Sequence, residues 1–315
     1  MKPATFDALL GTVSVEIEAF AICEISEGVR LIVPPVEMIV VHYILEGTAH
    51  VTIDGNESVE ARPGSMLIVP PERLQQLATS SDALVNKQAF EVCRPVREGV
   101  LVVDATDGKT EPTLRIACGA VLPNPLGSFG PLRSLARIVV EDLSDYPVVS
   151  ASFAALLEEV KSPREGSRAL MSALMKGCLV VLLRRHLERS RLLGTAPAVF
   201  QDTRLSRAIT AVLNLPAAPH CLASLAKEAG MSRSAFARDF KEALDITPME
   251  FVARVRLELA YRLLETTGLG VEGIAASVGF SSRSHFSHLF REHYGVDPSS
   301  FRRGTSKGGS CDEAA

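Results

Sequence analysis

Two short segments near the C-terminal end carry hydroxyl and cationic side chains in matching order. The first contains Ser234, Arg238 and Lys241, and the second contains Ser284 and Arg291. Hydroxyl and guanidinium groups can hydrogen-bond to base edges in a major groove, and cationic groups pair with phosphates. These residues could therefore recognise a DNA duplex, provided that a rigid element presents each set.

The two sets lie in two copies of one unit. Phe240-Lys241-Glu242 returns 50 residues later as Phe290-Arg291-Glu292, and such self-similarity predicts two structural copies. In each copy a short apolar helix, a glycine turn and a serine N-cap precede a second helix with phenylalanine at every fourth position. The phenylalanines are expected in the core, so the polar sets face outward. A single such pattern is more often ordinary helix packing, but duplication favours a functional surface.

The segment between the copies predicts a long connecting helix. Thr247-Pro248-Met249-Glu250 is a capping box with proline at the first helical position, and an apolar face continues until Gly268. A helix of about 19 residues is roughly 28 Å long. It could hold the two second helices about one duplex turn apart, roughly 34 Å.

Residues 203–303 resemble the DNA-binding domain of AraC/XylS-family transcription regulators. The matching residues are Ile274-Ala275, Gly279-Phe280, Ser284, Phe286, Phe290-Arg291, Gly295, Pro298 and Phe301-Arg302. The resemblance implies base contacts from Ser234, Ala237, Arg238, Arg283, Ser284, Ser287 and His288, and phosphate contacts from Ser232, Arg233, Lys241, Ser282 and Arg291. Two positions depart from the family: Ala237 replaces a longer polar residue, and His288 stands where arginine is frequent.

Charge is distributed unevenly along the chain. Residues 203–303 contain 13 Lys and Arg against 10 Asp and Glu, whereas residues 1–202 contain 19 against 25. A basic C-terminal part suits a surface that faces phosphates.

The N-terminal part has the pattern of a β domain. β-rich runs at 38–45 and 48–53 flank a Glu46-Gly47 turn, and a further strand is predicted at 65–69. The phrases Tyr43-Ile44-Leu45-Glu46-Gly47, Arg62-Pro63-Gly64-Ser65 and Pro70-Pro71 resemble the cupin barrel of many AraC-family sensors. The resemblance implies a small-molecule effector, with Arg30, His42, Tyr43 and His50 as candidate lining residues. An empty barrel used only for packing is the alternative.

A cupin metalloenzyme is a second alternative, but the histidine count disfavours it. Such sites need about three imidazoles and a carboxylate, and only His42 and His50 precede His186. A two-residue turn at Glu46-Gly47 would also place these two histidines on opposite sheet faces. We therefore predict no catalytic residue, no metal and no cofactor. Six cysteines without a CxxC pair indicate free thiols; Cys93 and Cys118 are either small core residues or a redox pair.

Two helices are predicted between the β part and the DNA-binding part, at 148–160 and 167–191. The second has too many apolar residues for one stripe, so it must be covered on more than one side. In the AraC family the equivalent region commonly forms a dimer, which implies a contact through Met175, Leu179, Leu182 and Leu183. An intramolecular core helix is the alternative.

The sequence thus predicts an α+β two-domain protein: a cupin-like barrel with a helical dimerisation segment, then an all-α domain with two helix-turn-helix units. The boundaries are 1–193 for sensing and dimerisation, 194–202 for a linker, 203–303 for DNA binding and 304–315 for a disordered tail. The expected function is sequence-specific transcription regulation controlled by a small molecule. Expected partners are double-stranded DNA, an effector and a second subunit, with RNA polymerase as a further candidate; an effector-independent architectural DNA-binding protein stays open. No segment suggests export or a membrane span, so a cytosolic location is expected.

Overall fold

The computed structural model describes residues 17–97, 99–108, 111–121, 137–193 and 202–307. These fall into two compact units, one within residues 13–195 and one within residues 196–315. The first is rich in β-sheet and the second is helical, so the chain has a two-domain α+β architecture. Residues 194–201 of the predicted linker lie outside the described residues. The last helix reaches Lys307, so the predicted tail is helical over 304–307, and 308–315 lie outside the described residues.

Twelve strands are described in the N-terminal unit, together with one short helical turn and two longer helices. The strands are β1 (Ile17–Ile25), β2 (Val29–Val33), β3 (Ile39–Glu46), β4 (Ala49–Ile53), β5 (Glu57–Ala61), β6 (Ser65–Val69), β7 (Gln75–Ala78), β8 (Val85–Gln88), β9 (Cys93–Arg97), β10 (Val100–Ala105), β11 (Leu114–Val121) and β12 (Val139–Asp142). The helical elements are α1 (Ala89–Val92), α2 (Pro147–Lys161) and α3 (Ser167–Leu192).

The strands form two separate sheets. A seven-stranded sheet has the order β12-β6-β3-β11-β1-β10-β9, and a five-stranded sheet has the order β5-β4-β7-β2-β8. Apolar side chains from the facing sides of both sheets make one core cluster, which includes Cys23, Leu31, Ile44 and Val51. In the described residues the predicted barrel is therefore two packed sheets rather than one closed cylinder.

The predicted hairpin around Glu46-Gly47 is wrong. β3 pairs with β6 and β11, whereas β4 pairs with β5 and β7, so the turn carries the chain from one sheet to the other. Gly47 has φ +78°, and a Cβ there would lie 2.1 Å from the Thr113 carbonyl oxygen. The chain can pass this close to the Thr113 backbone with a positive φ only if the residue is glycine. The same glycine made Glu46-Gly47 resemble a hairpin turn in the sequence.

The two longer helices cover the outer face of the seven-stranded sheet. Phe153 of α2 stacks on Tyr43 of β3 with ring centroids 4.0 Å apart, and the Met175 methyl of α3 lies over Gly119 of β11. The residues assigned to a dimer contact, Met175, Leu179, Leu182 and Leu183, are at most 3% exposed within a single chain. The dimer assignment for these residues is wrong, because their own sheet and α2 cover the wide apolar face.

The helices of the C-terminal unit follow the predicted order. They are α4 (Thr203–Asn214), α5 (Leu222–Ala229), α6 (Arg233–Leu244), α7 (Pro248–Thr266), α8 (Val271–Ser277), α9 (Arg283–Tyr294) and α10 (Pro298–Lys307). At the start of α7 the predicted capping box is present, with Thr247 Oγ1 accepting from Glu250 N–H and Glu250 Oε2 accepting from Thr247 N–H. The helix ends at Thr266, two residues before the predicted stop.

The long helix α7 belongs to two hydrophobic cores. Its first half packs Phe251 edge-on against Phe240 of α6, with centroids 5.7 Å apart. Its second half buries Leu257, Ala260 and Leu264 in a cluster with residues of α8 and α9. The two helix-turn-helix units are therefore built on one shared rod. No helix among the described residues is long and apolar enough to cross a membrane.

Candidate DNA interface and cupin cavity

Helix α6 presents a polar face to solvent. Phe236, Phe240 and Leu244 are buried, and this four-residue spacing fixes the rotation of the helix. Ser234, Arg238 and Lys241 are consequently exposed, and Ala237 beside them is half-buried. The predicted contact residues of the first unit therefore share one accessible surface.

Helix α9 repeats the arrangement. Phe286 and Phe290 are buried, with ring centroids 5.6 Å apart. The polar residues on the opposite side are exposed, except that Ser287 is half-buried; they are Arg283, Ser284, Ser287, His288 and Arg291.

Each polar face begins at a serine N-cap. Ser232 Oγ accepts from Ala235 N–H, and Ser282 Oγ accepts from His285 N–H, both at 3.3 Å. The free N–H groups of the first turn and the helix dipole then give each N-terminus a partial positive charge that attracts phosphate. On α6, Arg238 donates from Nε to Asp239 Oδ1 at 3.0 Å while its side chain stays 73% exposed. Base contact by Arg238 would therefore have to replace an exposed ion pair, which is a small cost.

Close packing within the C-terminal unit fixes the orientation of the two helix-turn-helix units relative to each other. Arg256 of α7 donates to the carbonyl oxygens of Pro216 and Ala218, at 2.9 and 2.7 Å, in the loop between α4 and α5. Ala217 of the same loop lies against Gly279, at the turn between α8 and α9; a Cβ at Gly279 would be 2.8 Å from the Ala217 oxygen. The first unit's loop is thus held against the second unit's turn.

An apolar cavity of about 270 Å³ lies between the two sheets of the N-terminal unit. It reaches the surface beside Phe90, a lining residue whose side chain is 69% exposed. The lining is formed by Ala19, Ala21, Cys23, Leu31, Val33, Pro34, Val36, Met38, Val40, His42, Leu77, Ala89, Phe90, Cys93, Leu101, Val103, Cys118, Gly119 and Ala120. His42 is therefore the sole lining residue with an ionisable nitrogen or oxygen among those described.

Four polar side chains make a connected group, which we call the thiol cluster: Cys23, His42 and Cys118, which line the cavity, and Gln75, which contacts His42 from outside the lining. His42 Nε2 lies 2.7 Å from Gln75 Oε1, and His42 Nδ1 lies 3.0 Å from Cys118 Sγ. Cys118 Sγ is also 3.3 Å from Cys23 Sγ. Burial lowers the pKa of His42 from its ordinary value, against the opposite effect of Gln75. The hydrogen bond with Cys23 and burial raise the pKa of the Cys118 thiol well above its ordinary value.

Comparison with known proteins identifies both units. A Cupin family matches residues 5–188 and a helix-turn-helix domain family matches residues 225–304. The chain is an AraC/XylS-family transcriptional regulator with an N-terminal cupin domain. The match covers both described units, so the predicted family is confirmed.

Relatives of this regulator are similar over most of its length. An uncharacterized HTH-type transcriptional regulator of Haemophilus influenzae is 25% identical over 272 residues, or 84% of this chain and 86% of the relative. AlkR, an HTH-type transcriptional regulator of Acinetobacter baylyi, is 26% identical over 274 residues, or 85% and 88%. The crystal structure of an AraC-type regulator from Chromobacterium violaceum is 28% identical and covers 35% of this chain and 99% of that chain, with a TM-score of 0.33.

In this regulator the cavity contains one of the four predicted lining residues, His42. Arg30 donates from Nη2 to the Ser81 carbonyl oxygen at 2.8 Å on the outside, and Tyr43 packs on Phe153 across the sheet. His50 alternates with the core-facing residues of β4 and points away from the core. Because successive side chains of a strand point to opposite faces of the sheet, the four predicted residues do not share one cavity.

Sequence reasoning missed Cys23 and Cys118 as cavity residues, and it missed the contact of Gln75 with His42. Cys118 was considered as a redox partner of Cys93, but its sulfur contacts Cys23 instead. Alternation along β1 and β11 gives each cysteine a core-facing position; the pairing of these strands, which brings the thiols together, is non-local. In the described part of the chain no three His, Cys, Asp or Glu side chains are placed to hold a metal ion.

Proposed function

We propose that this regulator reads a promoter through the exposed faces of α6 and α9, under the control of a small, uncharged, apolar effector in the cupin cavity. The observation that carries the proposal is the paired exposure of two polar helix faces built on one shared helix. A two-unit reader needs its recognition helices held roughly 34 Å apart on one side of the duplex. Helix α7, with 19 residues, is long enough to do so.

The base contacts are assigned to residues in the first two turns of the two helices. In α6 these are Ser234, Ala237 and Arg238, and in α9 they are Arg283, Ser284, Ser287 and His288. Lys241 and Arg291 lie farther along their helices and are assigned to phosphates, as are Ser232, Arg233 and Ser282 at the N-termini. Serine, arginine and histidine donors at these places suit base edges in a major groove.

The test separates base reading from phosphate contact. A cognate duplex is first selected from a random library with the full-length protein. Arg238→Ala is expected to cost about 1–3 kcal/mol on that duplex and to relax preference at one base pair. Lys241→Ala, the matched cationic control, should weaken all duplexes alike and lower the salt slope by about one unit. Equal losses on cognate and random DNA for Arg238→Ala would contradict the assignment.

The chemistry of the cavity supports the class of effector. Its wall is apolar except for one imidazole and three thiols, so a charged ligand would lose its hydration without a compensating partner. Benzene fills a cavity of about 150 Å³, which scales to about ten non-hydrogen atoms for this one. We therefore infer a neutral molecule of about the size of a bicyclic aromatic compound.

Naphthalene and its charged analogue 2-naphthoate are suitable probes. Naphthalene should bind the full-length protein and change its affinity for the selected duplex, whereas 2-naphthoate should not. Ala21→Phe fills the cavity and should abolish naphthalene binding, and Ala154→Phe on the exposed side of α2 is the control. Naphthalene binding without any change in DNA affinity would instead favour an effector-independent architectural role.

We infer that the cupin domain is a sensor rather than an enzyme. A cupin metal centre does not fit the described residues, because of the three histidines within residues 5–188 only His42 lines the cavity, and both of its nitrogens already have partners. A homodimer, a contact with RNA polymerase and a cytoplasmic location stay predictions. For a homodimer, the outward side of α3, with Leu170, Arg184 and Arg185, is the part of that helix that a partner could reach.

A further inference from the structure

The hydrogen bonds of the thiol cluster determine where its protons lie. Gln75 Oε1 is an acceptor only, so the His42 Nε2 at 2.7 Å carries the ring proton. Burial keeps the ring neutral, which leaves a lone pair on Nδ1. Cys118 Sγ, 3.0 Å from Nδ1, is therefore the donor in that contact. A thiol whose proton points at a base, with the base oriented by a third group, has the arrangement of an activated nucleophile.

Two further groups complete the cluster. Cys23 Sγ lies 3.3 Å from Cys118 Sγ, which places it to attack an oxidised Cys118 sulfur. Gln75 Nε2 is fully buried and has no hydrogen-bond partner among the described residues. Gln75 does not line the cavity, so it acts on the cluster only through the bond that its Oε1 accepts from His42.

We propose that Cys118 is the reactive thiol of an oxidant sensor that takes small, uncharged organic hydroperoxides, with His42 as its base and Cys23 as the resolving thiol. This deepens the proposed sensing role and rests on the same cavity. An apolar body of about ten non-hydrogen atoms fits the walls, and the terminal peroxide oxygen is an electrophile that sulfur can attack.

The reaction balances in two steps. Cys118 sulfur attacks the terminal oxygen: the S–O bond forms, the O–O bond breaks, and the thiol proton passes through His42 Nδ1 to the leaving alkoxide. The products are an alcohol and a sulfenic acid. Cys23 sulfur then attacks the sulfenic sulfur: the S–S bond forms, the S–O bond breaks, and the Cys23 proton leaves with the hydroxyl as water. Two thiols lose two electrons, and one hydroperoxide is reduced to alcohol and water.

The base is needed because the resting sulfur is a thiol. Burial and the Cys23 contact hold the pKa of Cys118 well above its ordinary value, so little thiolate exists before reaction. Proton transfer to His42 must accompany the attack. This makes His42 a catalytic residue and Gln75, which acts through the ring orientation, a positioning residue.

Disulfide formation would move the strands that carry the two cysteines. Cys23 of β1 is paired with Ile116 of β11, so Cys118 is its diagonal neighbour. Diagonal positions are typically about 7–8 Å apart between Cα atoms, which exceeds the roughly 4.4–6.8 Å that a disulfide usually spans. Closing the bond should therefore shift β11 along β1, because the hydrogen bonds between the two strands already fix their lateral spacing. Met175 of α3 packs directly on Gly119, next to Cys118, so this displacement reaches the last helix of the cupin domain.

The test exposes reduced full-length protein to cumene hydroperoxide, with cumyl alcohol as the non-oxidising control and hydrogen peroxide as an oxidant without an apolar body. Non-reducing peptide mass spectrometry should find a Cys23–Cys118 link with cumene hydroperoxide, formed at least about tenfold faster than with hydrogen peroxide. Cys23→Ser should stop at a Cys118 sulfenic acid that dimedone traps. Cys221→Ser, which removes an exposed thiol of the other unit, should change nothing.

His42→Gln keeps a hydrogen-bonding side chain and should slow the link by about 10²-fold, whereas Gln75→Leu should slow it less. Three results would overturn the proposal: no Cys23–Cys118 link in the wild type under conditions that oxidise Cys221, equal rates in wild type and His42→Gln, or equal rates with both peroxides. Naphthalene binding is measured on the reduced protein. A protein that binds naphthalene but whose Cys23 and Cys118 stay reduced after exposure to cumene hydroperoxide therefore contradicts this inference and leaves the proposed effector site in place.

Discussion

Replacing Gly279 with alanine should destabilise the contact that holds the two helix-turn-helix units together. Gly279 has φ +94°, and a Cβ at this position would lie 2.8 Å from the Ala217 oxygen, 2.9 Å from its Cα and 3.1 Å from its carbonyl carbon. These are backbone atoms, and Arg256 holds the neighbouring carbonyls of Pro216 and Ala218. The loop therefore cannot yield without breaking those hydrogen bonds.

The magnitude has two parts. A left-handed backbone costs a non-glycine residue about 1–2 kcal/mol. Forcing a methyl group into a packed contact adds about 1–3 kcal/mol. Gly295→Ala is the matched control, because Gly295 has φ +75° but no neighbouring atom within 4 Å of the added Cβ. The control should lose the first part alone, so Gly279→Ala should be less stable than Gly295→Ala by about 1–3 kcal/mol.

Hydrogen exchange with mass spectrometry measures this difference within the full-length protein. Each 1.4 kcal/mol is a factor of ten, so amides of α8 and α9 should exchange about 5- to 150-fold faster in Gly279→Ala than in Gly295→Ala. Affinity for a duplex that carries both half-sites should fall in parallel. Equal exchange in the two variants would refute the idea that the Ala217 contact fixes the units.

Two further predictions concern the domains. A fragment of residues 201–307 should fold alone as a helical monomer and bind DNA, because both of its cores are internal to it; a disordered circular dichroism spectrum would contradict this. Leu182→Asp should destabilise the cupin domain by several kcal/mol, because Leu182 is fully buried within one chain. The oligomeric state that sedimentation measures should not change. A stable variant that dissociates from dimer to monomer would instead support the dimer contact through Leu182.

The C-terminal domain was predictable from sequence because its structure depends on local chemistry. Phenylalanine at every fourth position sets the rotation of α6 and α9, and serine N-caps and the Thr247-Glu250 capping box set where the helices start. The exposed contact face follows from the buried one. The contact of Gly279 with Ala217 was not predictable, because the two residues are 62 positions apart and no local sequence pattern indicates that they touch.

The sequence by itself determined that two helical units, a β domain and a linking helical region exist, because turn residues and apolar periodicity act within a few residues of the chain. Tertiary structure alone decided which strand pairs with which. That choice sent β3 and β4 to different sheets, turned Tyr43 and His50 away from the cavity, and placed Cys118 beside Cys23 rather than Cys93. It also buried the apolar face of α3 inside one chain. Strand pairing depends on contacts between distant segments, and an alternating pattern shows that a strand has two faces without showing what either face will meet.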